Sequence, residues 1–158
     1  SINVYKREHK RIVDRKYAAD FLFIHNSGLG FDIEIDEPYA LLNKQPTHCL
    51  DEAKDTQRNQ FFIEHGWCVV RFTEQQVVKT PFSCCKAIAG IIRDVTGDDY
   101  LFQQLREYED LTRVKRWTKK EAKRMAKIDY RLSYLPISVQ LTLGKRKSAR
   151  YKSRIRHI

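Results

Sequence analysis

Little in this 158-residue chain breaks or cross-links the backbone: it has 6 Gly, 4 Pro and 4 Cys. So few backbone breakers, against 42% hydrophobic and 11% aromatic residues, exclude a collagen-like or disordered polymer. No apolar run approaches the roughly 18 residues that a membrane span needs. The N-terminal SINVYKREHKRIVDRK also lacks the hydrophobic core of a secretion signal. Cys49, Cys68, Cys84 and Cys85 show no C-x-x-C spacing, and adjacent cysteines make a poor disulfide pair. The sequence therefore predicts a reduced, cytoplasmic protein with no membrane partner. Its length suits one domain of ordinary size with room for an appendage.

Acidic residues are nearly missing from the last third. Residues 111–158 hold 16 Lys+Arg with only Glu121 and Asp129 as acids, whereas residues 1–110 hold 14 Lys+Arg against 18 Asp+Glu. A mildly acidic body joined to a strongly basic segment points to a polyanionic partner, nucleic acid first. Trp117, Tyr130, Tyr134 and Tyr151 are interleaved with the cations. Arg113, Lys115, Arg116, Lys119, Lys120, Lys123, Arg124 and Lys127 are the candidates to neutralise phosphates. Such contacts give salt-sensitive affinity with little sequence preference. The alternatives are a solvated basic tail, or a basic helix packed on acidic surface of its own body or of a partner copy in a homodimer.

The pattern of elements predicts an α/β (α+β) fold with a mixed sheet flanked by helices. Residues 1–16 are too charged to assign. From Tyr17, two alternating runs flank Asn26-Ser27-Gly28-Leu29-Gly30, which reads as a β-hairpin. Residues 37–50 form a loop. Asp51–His65 reads as an amphipathic helix ended by Gly66, with Asp55 and Arg58 as a surface pair one turn apart. WCVVRF at 67–72 is a short strand. Thr73 caps a helical turn, residues 82–95 carry a helical apolar stripe ended by Gly97, and a polar helix follows around 99–109. Thr118-Lys119-Lys120-Glu121 is a capping box opening a helix through about Leu132. Cations nearly all around that helix exclude a buried core role, and Trp117 is placed to anchor it. The organisation is thus a body at 1–110, a basic helical extension at 111–143 and a basic tail at 144–158.

Asp32, Glu34 and Asp36 project from one face of the second hairpin strand, with Phe31, Ile33 and Ile35 on the other. Asp20 lies near the first strand. Like charges at this spacing repel, and strands disfavour Asp. A divalent cation would remove the penalty, and so would exposure of that face to solvent. Arg71, alternating with Val70 and Phe72, is placed to point toward the acids. Trp67, Val69, Val70 and Phe72 are core candidates. Cys84, Cys85, Ile88, Ile91 and Ile92 read as helix packing. His48 next to Cys49 is a poor zinc site without a second ligand pair; His25 and His65 read as structural.

YAADF, FDIEIDEP and DTQRNQFFIEHGWCVVRFTEQQV together resemble the PD-(D/E)xK nuclease superfamily. The closer resemblance is to the bacterial branch related to very-short-patch repair endonucleases, over about residues 17–95. In that branch an Asp on one strand precedes a strand ending E-x-D, followed by a D-x-x-R-(N/D) helix and a G-W-x-V-x-R-F strand. The resemblance implies a restriction-endonuclease-like sheet and metal-dependent hydrolysis of DNA phosphodiester bonds. Asp20 and Glu34 would bind Mg²⁺, or Mn²⁺ in its place, with the Ile35 carbonyl as a further ligand. His48 would approach the scissile phosphate, and Arg58 would contact phosphate. Asp36 stands where many relatives carry lysine, with Lys44 and Lys54 as substitutes. Only Glu8 and Asp14 are available for the acid of the family's N-terminal helix. These departures leave a second expectation, a nuclease-fold module that binds nucleic acid or a partner without cleaving.

Overall fold

The computed structural model of the protein describes residues 4–5, 17, 19–51 and 53–142, so Glu8, Asp14 and the tail at 144–158 lie outside the described residues. A mixed sheet runs in the order β1 (Val4–Tyr5), β2 (Phe21–Ile24), β3 (Gly30–Asp36), β4 (Trp67–Thr73). β1 is only a two-residue edge. β2 and β3 form the expected antiparallel hairpin, with Phe21 opposite Ile33. β4 lies parallel to β3, with Glu34 opposite Arg71 and Asp36 opposite Thr73. Parallel neighbours need a crossover, and α1 (Ala53–Glu64) supplies it. Gly30 is fixed by space: a Cβ there would lie 2.8 Å from the Trp67 ring.

The remaining helices follow the local signals. Thr73 caps α2 (Glu74–Lys79) with a complete capping box to Gln76. α3 (Pro81–Thr96) has proline in its first turn and ends at Gly97 with φ 77°, the left-handed conformation that glycine adopts without a Cβ penalty. The polar helix expected around 99–109 is shorter, α4 (Tyr100–Gln104). α5 (Lys119–Lys127) opens on the expected Thr118–Glu121 box but stops before Asp129, whose φ of 52° turns the chain into a 3-10 turn at Tyr130–Ser133. Residues 137–142 are helical again. Among the described residues no helix is long and apolar enough to cross a membrane.

α5 is more buried than its charge implied. Ala122 is fully buried and Ala126 nearly so, with Met125 packed beside them. Cations at 119, 120, 123, 124 and 127 occupy one arc of the helix at about 100° per residue, and the small apolar residues occupy the opposite arc. Trp117 anchors this helix as expected. Its ring is buried with Cys49 and Ala122, its Nε1 donates to the Thr47 carbonyl at 2.8 Å, and its own carbonyl accepts from Leu50 N at 3.0 Å. Farther along, Arg131 donates to both Glu74 oxygens (2.7 and 2.5 Å) and to the Tyr39 carbonyl at 2.7 Å. Tyr134 Oη donates to the same Glu74 carboxylate at 2.8 Å. Burial and that neighbouring carboxylate push the Tyr134 phenol far up.

Trp117 therefore joins the basic segment to the loop after β3. Trp117→Ala is expected to destabilise the chain by about 3 kcal/mol or more, read from urea unfolding followed by circular dichroism. An unchanged midpoint would contradict the packing of this segment on the body.

Candidate active site

Strand alternation puts Asp32, Glu34 and Asp36 on one face of β3, as the sequence predicts, but that face is not solvated. The three residues are 0%, 6% and 3% exposed. Carboxylates buried this deeply require counter-charge or a proton. Arg58 on α1 donates to both oxygens of Asp32 at 2.7 and 2.8 Å, and to Glu34 Oε1 at 2.5 Å. Arg71 on β4 grips Asp36 through Nε at 3.0 Å and Nη2 at 2.6 Å, and reaches Asp55 Oδ2 at 2.7 Å and Asn59 Oδ1 at 2.9 Å. The expected surface pair between Asp55 and Arg58 is thus corrected. Both side chains turn toward the sheet, where the buried Asp32 offers Arg58 a bidentate partner that a neighbour on the same helix does not.

Asp20 sits just ahead of β2, across the hairpin from Glu34. Its amide donates to Glu34 Oε1 at 3.1 Å, and its own Oδ2 accepts from the Ile35 amide at 2.9 Å. Each carboxylate commits one oxygen to this reciprocal lock. The other oxygen of each makes no hydrogen bond among the described residues. The two residues line one cavity of about 360 Å³ together with Phe21, Ile35, Glu37 and His48. One guanidinium, Arg58, serves both Asp32 and Glu34, so the pair carries one negative charge too many. Burial pushes the Glu34 carboxyl up to about 8, against the pull of Arg58 and helped by the charge of Asp32.

His48 closes the other side of the cavity from the loop after β3, in a left-handed backbone conformation with φ 51°. Its Nδ1 lies 3.2 Å from Asp36 Oδ1, 3.4 Å from Asp55 Oδ2 and 3.1 Å from Arg71 Nη2. When protonated, Nδ1 donates to a carboxylate; otherwise it accepts from Arg71. Its Nε2 is 3.8 Å from Glu37 Oε2. Burial raises the Glu37 carboxyl, and His48 opposes that shift. Asp36, His48 and Asp55 place their ligand atoms within 4.8 Å of one another, a second group with metal-binding donors. Guanidiniums already occupy that position. Arg71 is joined there by Arg116, whose Nη2 donates to the His48 carbonyl at 3.2 Å and to Asp55 Oδ2 at 3.3 Å. Arg71 stays charged despite its burial, because its bonds to Asp36 and the charges of Asp36, Asp55 and Glu34 outweigh desolvation.

The structure therefore brings Asp20, Glu34, Ile35 and His48 to one cavity, with Asp36 immediately behind His48. Arg58, which the resemblance casts as a phosphate contact, has a buried guanidinium committed to Asp32 and Glu34. Arg71 points into the acidic cluster as expected. Lys115, Lys119, Lys120, Lys123 and Arg124 are exposed, whereas Arg116 enters the acidic cluster. Lys44 pairs with Asp129, and the Lys54 side chain lies outside the described residues. Cys84 is buried packing, with its thiol pushed up to about 11 by burial and the neighbouring Cys85, while Cys85 itself is exposed. His25 bonds Ser27 and lies 3.3 Å from Asp98 Oδ2, and His65 bonds the Phe61 carbonyl. Sequence reasoning missed Glu37 in the cavity wall and Asn59 beside Arg71. The spacing of Asp55, Arg58 and Asn59 on α1 was the available signal that they share one side of the helix.

Glu34 carries a consequence for stability in EDTA. The unfolded carboxyl ionises near 4.5, whereas the folded one keeps its proton to about 8. Its stabilising contribution is therefore complete below pH 4.5 and is lost as pH rises toward 8. Glu34→Gln cannot ionise, so its melting temperature should gain on that of the wild type between pH 5 and pH 8; a pH-independent difference contradicts the buried, protonated carboxyl. No family model matches this chain, and no curated protein or solved structure is significantly similar to it.

Proposed function

We propose that the protein is a metal-dependent DNA endonuclease of restriction-endonuclease-like fold, acting at the cavity shared by Asp20 and Glu34. One observation carries the reading: the reciprocal lock that holds these two carboxylates side by side, each with one oxygen that makes no hydrogen bond among the described residues. The order of elements supports it. An acid ahead of β2, E-I-D at the end of β3, D-T-Q-R-N on α1 and GWCVVRF on β4 follow the sequence that the nuclease resemblance implies.

The donors suit a hard divalent cation, because they are oxygens and the six carboxylates of Asp20, Asp32, Glu34, Asp36, Glu37 and Asp55 outnumber the guanidiniums of Arg58, Arg71 and Arg116. Asp20, Glu34 and the Ile35 carbonyl would hold Mg²⁺ or Mn²⁺. Such an ion supplies charge stabilisation at the scissile phosphate and a more acidic bound water. The chain's own groups do the rest. Arg58 and the Asp20 amide fix one Glu34 oxygen, which leaves the second for a ligand and sets a proton to be displaced there. Asp36 and Asp55 orient the His48 imidazole, which is placed to hold a proton beside a departing oxygen.

A specific observation favours the rival reading, a module of this fold that binds DNA without cleaving it. Among the described residues no lysine lines the cavity, and Asp36, at the position of the relatives' lysine, is tied to Arg71. Plasmid nicking in Mg²⁺, Mn²⁺ or EDTA separates the two. Nicking should require metal and fall by about 100-fold or more in Asp20→Ala and in Glu34→Ala, while DNA binding persists. Equal nicking in both variants would remove these carboxylates from the site. No nicking by the wild type, with salt-sensitive binding retained, would establish the binding module.

A further inference from the structure

We propose that the exposed face of α5 is the protein's principal docking surface for DNA, a backbone-binding arm built onto the wall of the acidic site. This rests on the reading of DNA as the substrate. Lys119, Lys120, Lys123, Arg124 and Lys127 are all exposed and lie within one arc of the helix. Positions 119, 123 and 127 follow one another at about 6 Å along the axis. The acid on this helix, Glu121, is used in the capping box at Thr118 and in a pair with Lys115 rather than against that arc.

The arm is held firmly. The opposite side of α5 buries Ala122 and Ala126, and Trp117 fastens its start to Thr47 and Leu50, on either side of His48 and Cys49. The Lys119 amide donates to Asp51 Oδ1 at 2.9 Å. Arg116, one residue before Trp117, enters the site itself and bonds the His48 carbonyl. The root of the basic helix and the histidine of the cavity thus share one short loop.

Electrostatics explains why such an arm is needed. The cavity carries more carboxylates than guanidiniums, so it repels a phosphodiester until a cation is bound. Long-range attraction must come from outside it. A backbone-reading surface of this kind releases counterions on binding, with log K falling against log [salt] by about 0.9 for each phosphate neutralised. An anionic membrane offers similar charge, but α5 turns Ala122 and Met125 inward to Trp117 and Cys49, and its exposed residues between 119 and 127 are all cations.

The test is binding of a fluorescent 20-base-pair duplex of arbitrary sequence to the full chain, in EDTA, across a salt series. Lys120→Gln/Lys123→Gln/Lys127→Gln should lower affinity at least tenfold at low salt and reduce the salt slope by about 2.7, with an unchanged melting temperature. An unaltered slope overturns the proposal, as does loss of binding to phosphatidylserine vesicles with DNA binding intact. Because no metal is present, cleavage does not enter the readout. If the wild type never nicks plasmid but the triple variant loses DNA binding, the docking surface stands and the endonuclease reading falls. If the wild type nicks plasmid and the triple variant binds DNA undiminished, the endonuclease reading stands and the docking surface falls.

Discussion

Three carboxylates buried on one face of β3 are the constraint on which the rest of this structure depends. Asp32, Glu34 and Asp36 alternate with Phe31, Ile33 and Ile35, so the strand must bury either its acids or its apolar side chains deepest, and it buries the acids at least as completely. Two arginines make this tolerable. Arg58 comes from the crossover helix and Arg71 from the parallel neighbour strand, so the helix and the strand are pinned to β3 through charge as well as packing. Removing one member of such a group leaves an uncompensated buried charge, which costs about 3–5 kcal/mol. Asp32 and Glu34 share the single guanidinium of Arg58, which leaves that pair in deficit, and Glu34 meets it by keeping its proton.

In the proposed reading that deficit is what would make the site chemically useful: a cation would displace the Glu34 proton, beside an Asp20 already fixed by the Ile35 amide. Behind them, Asp36, Asp55 and Arg71 hold the His48 ring from its Nδ1 side. The basic segment joins this arrangement through Arg116, while Arg131 ties the chain after α5 to Glu74 and Tyr39. Acidic body and basic extension meet at the loop that carries His48.

Much of the fold was legible because local rules and tertiary structure agree. The hairpin, the capping boxes at Thr73 and Thr118, the stripe of α3 and its stop at Gly97 each have a local physical cause. The strand face was legible too, but its environment was not. Alternation shows that Asp32, Glu34 and Asp36 share a side and says nothing of what covers it; Arg58 and Arg71, which come from other elements, do so. The surface-pair reading of Asp55 and Arg58 failed for the same reason: helix spacing gives neighbours within one helix, whereas here the sheet supplies better ones. The inward face of α5 was hidden by composition, since two alanines and a methionine among five cations weigh little until Trp117 is placed against them.

Everything proposed for the cavity depends on the Asp20–Glu34 pair being a cation site and not a leftover of charge. Calorimetric titration of Mn²⁺ into metal-stripped protein tests it without reference to any activity. Saturable binding at one site is expected, with proton release near neutral pH, and that site should be lost in Asp20→Asn. A wild-type protein that takes up no Mn²⁺, or an Asp20→Asn variant that binds as well as the wild type, would show that the pair holds no cation.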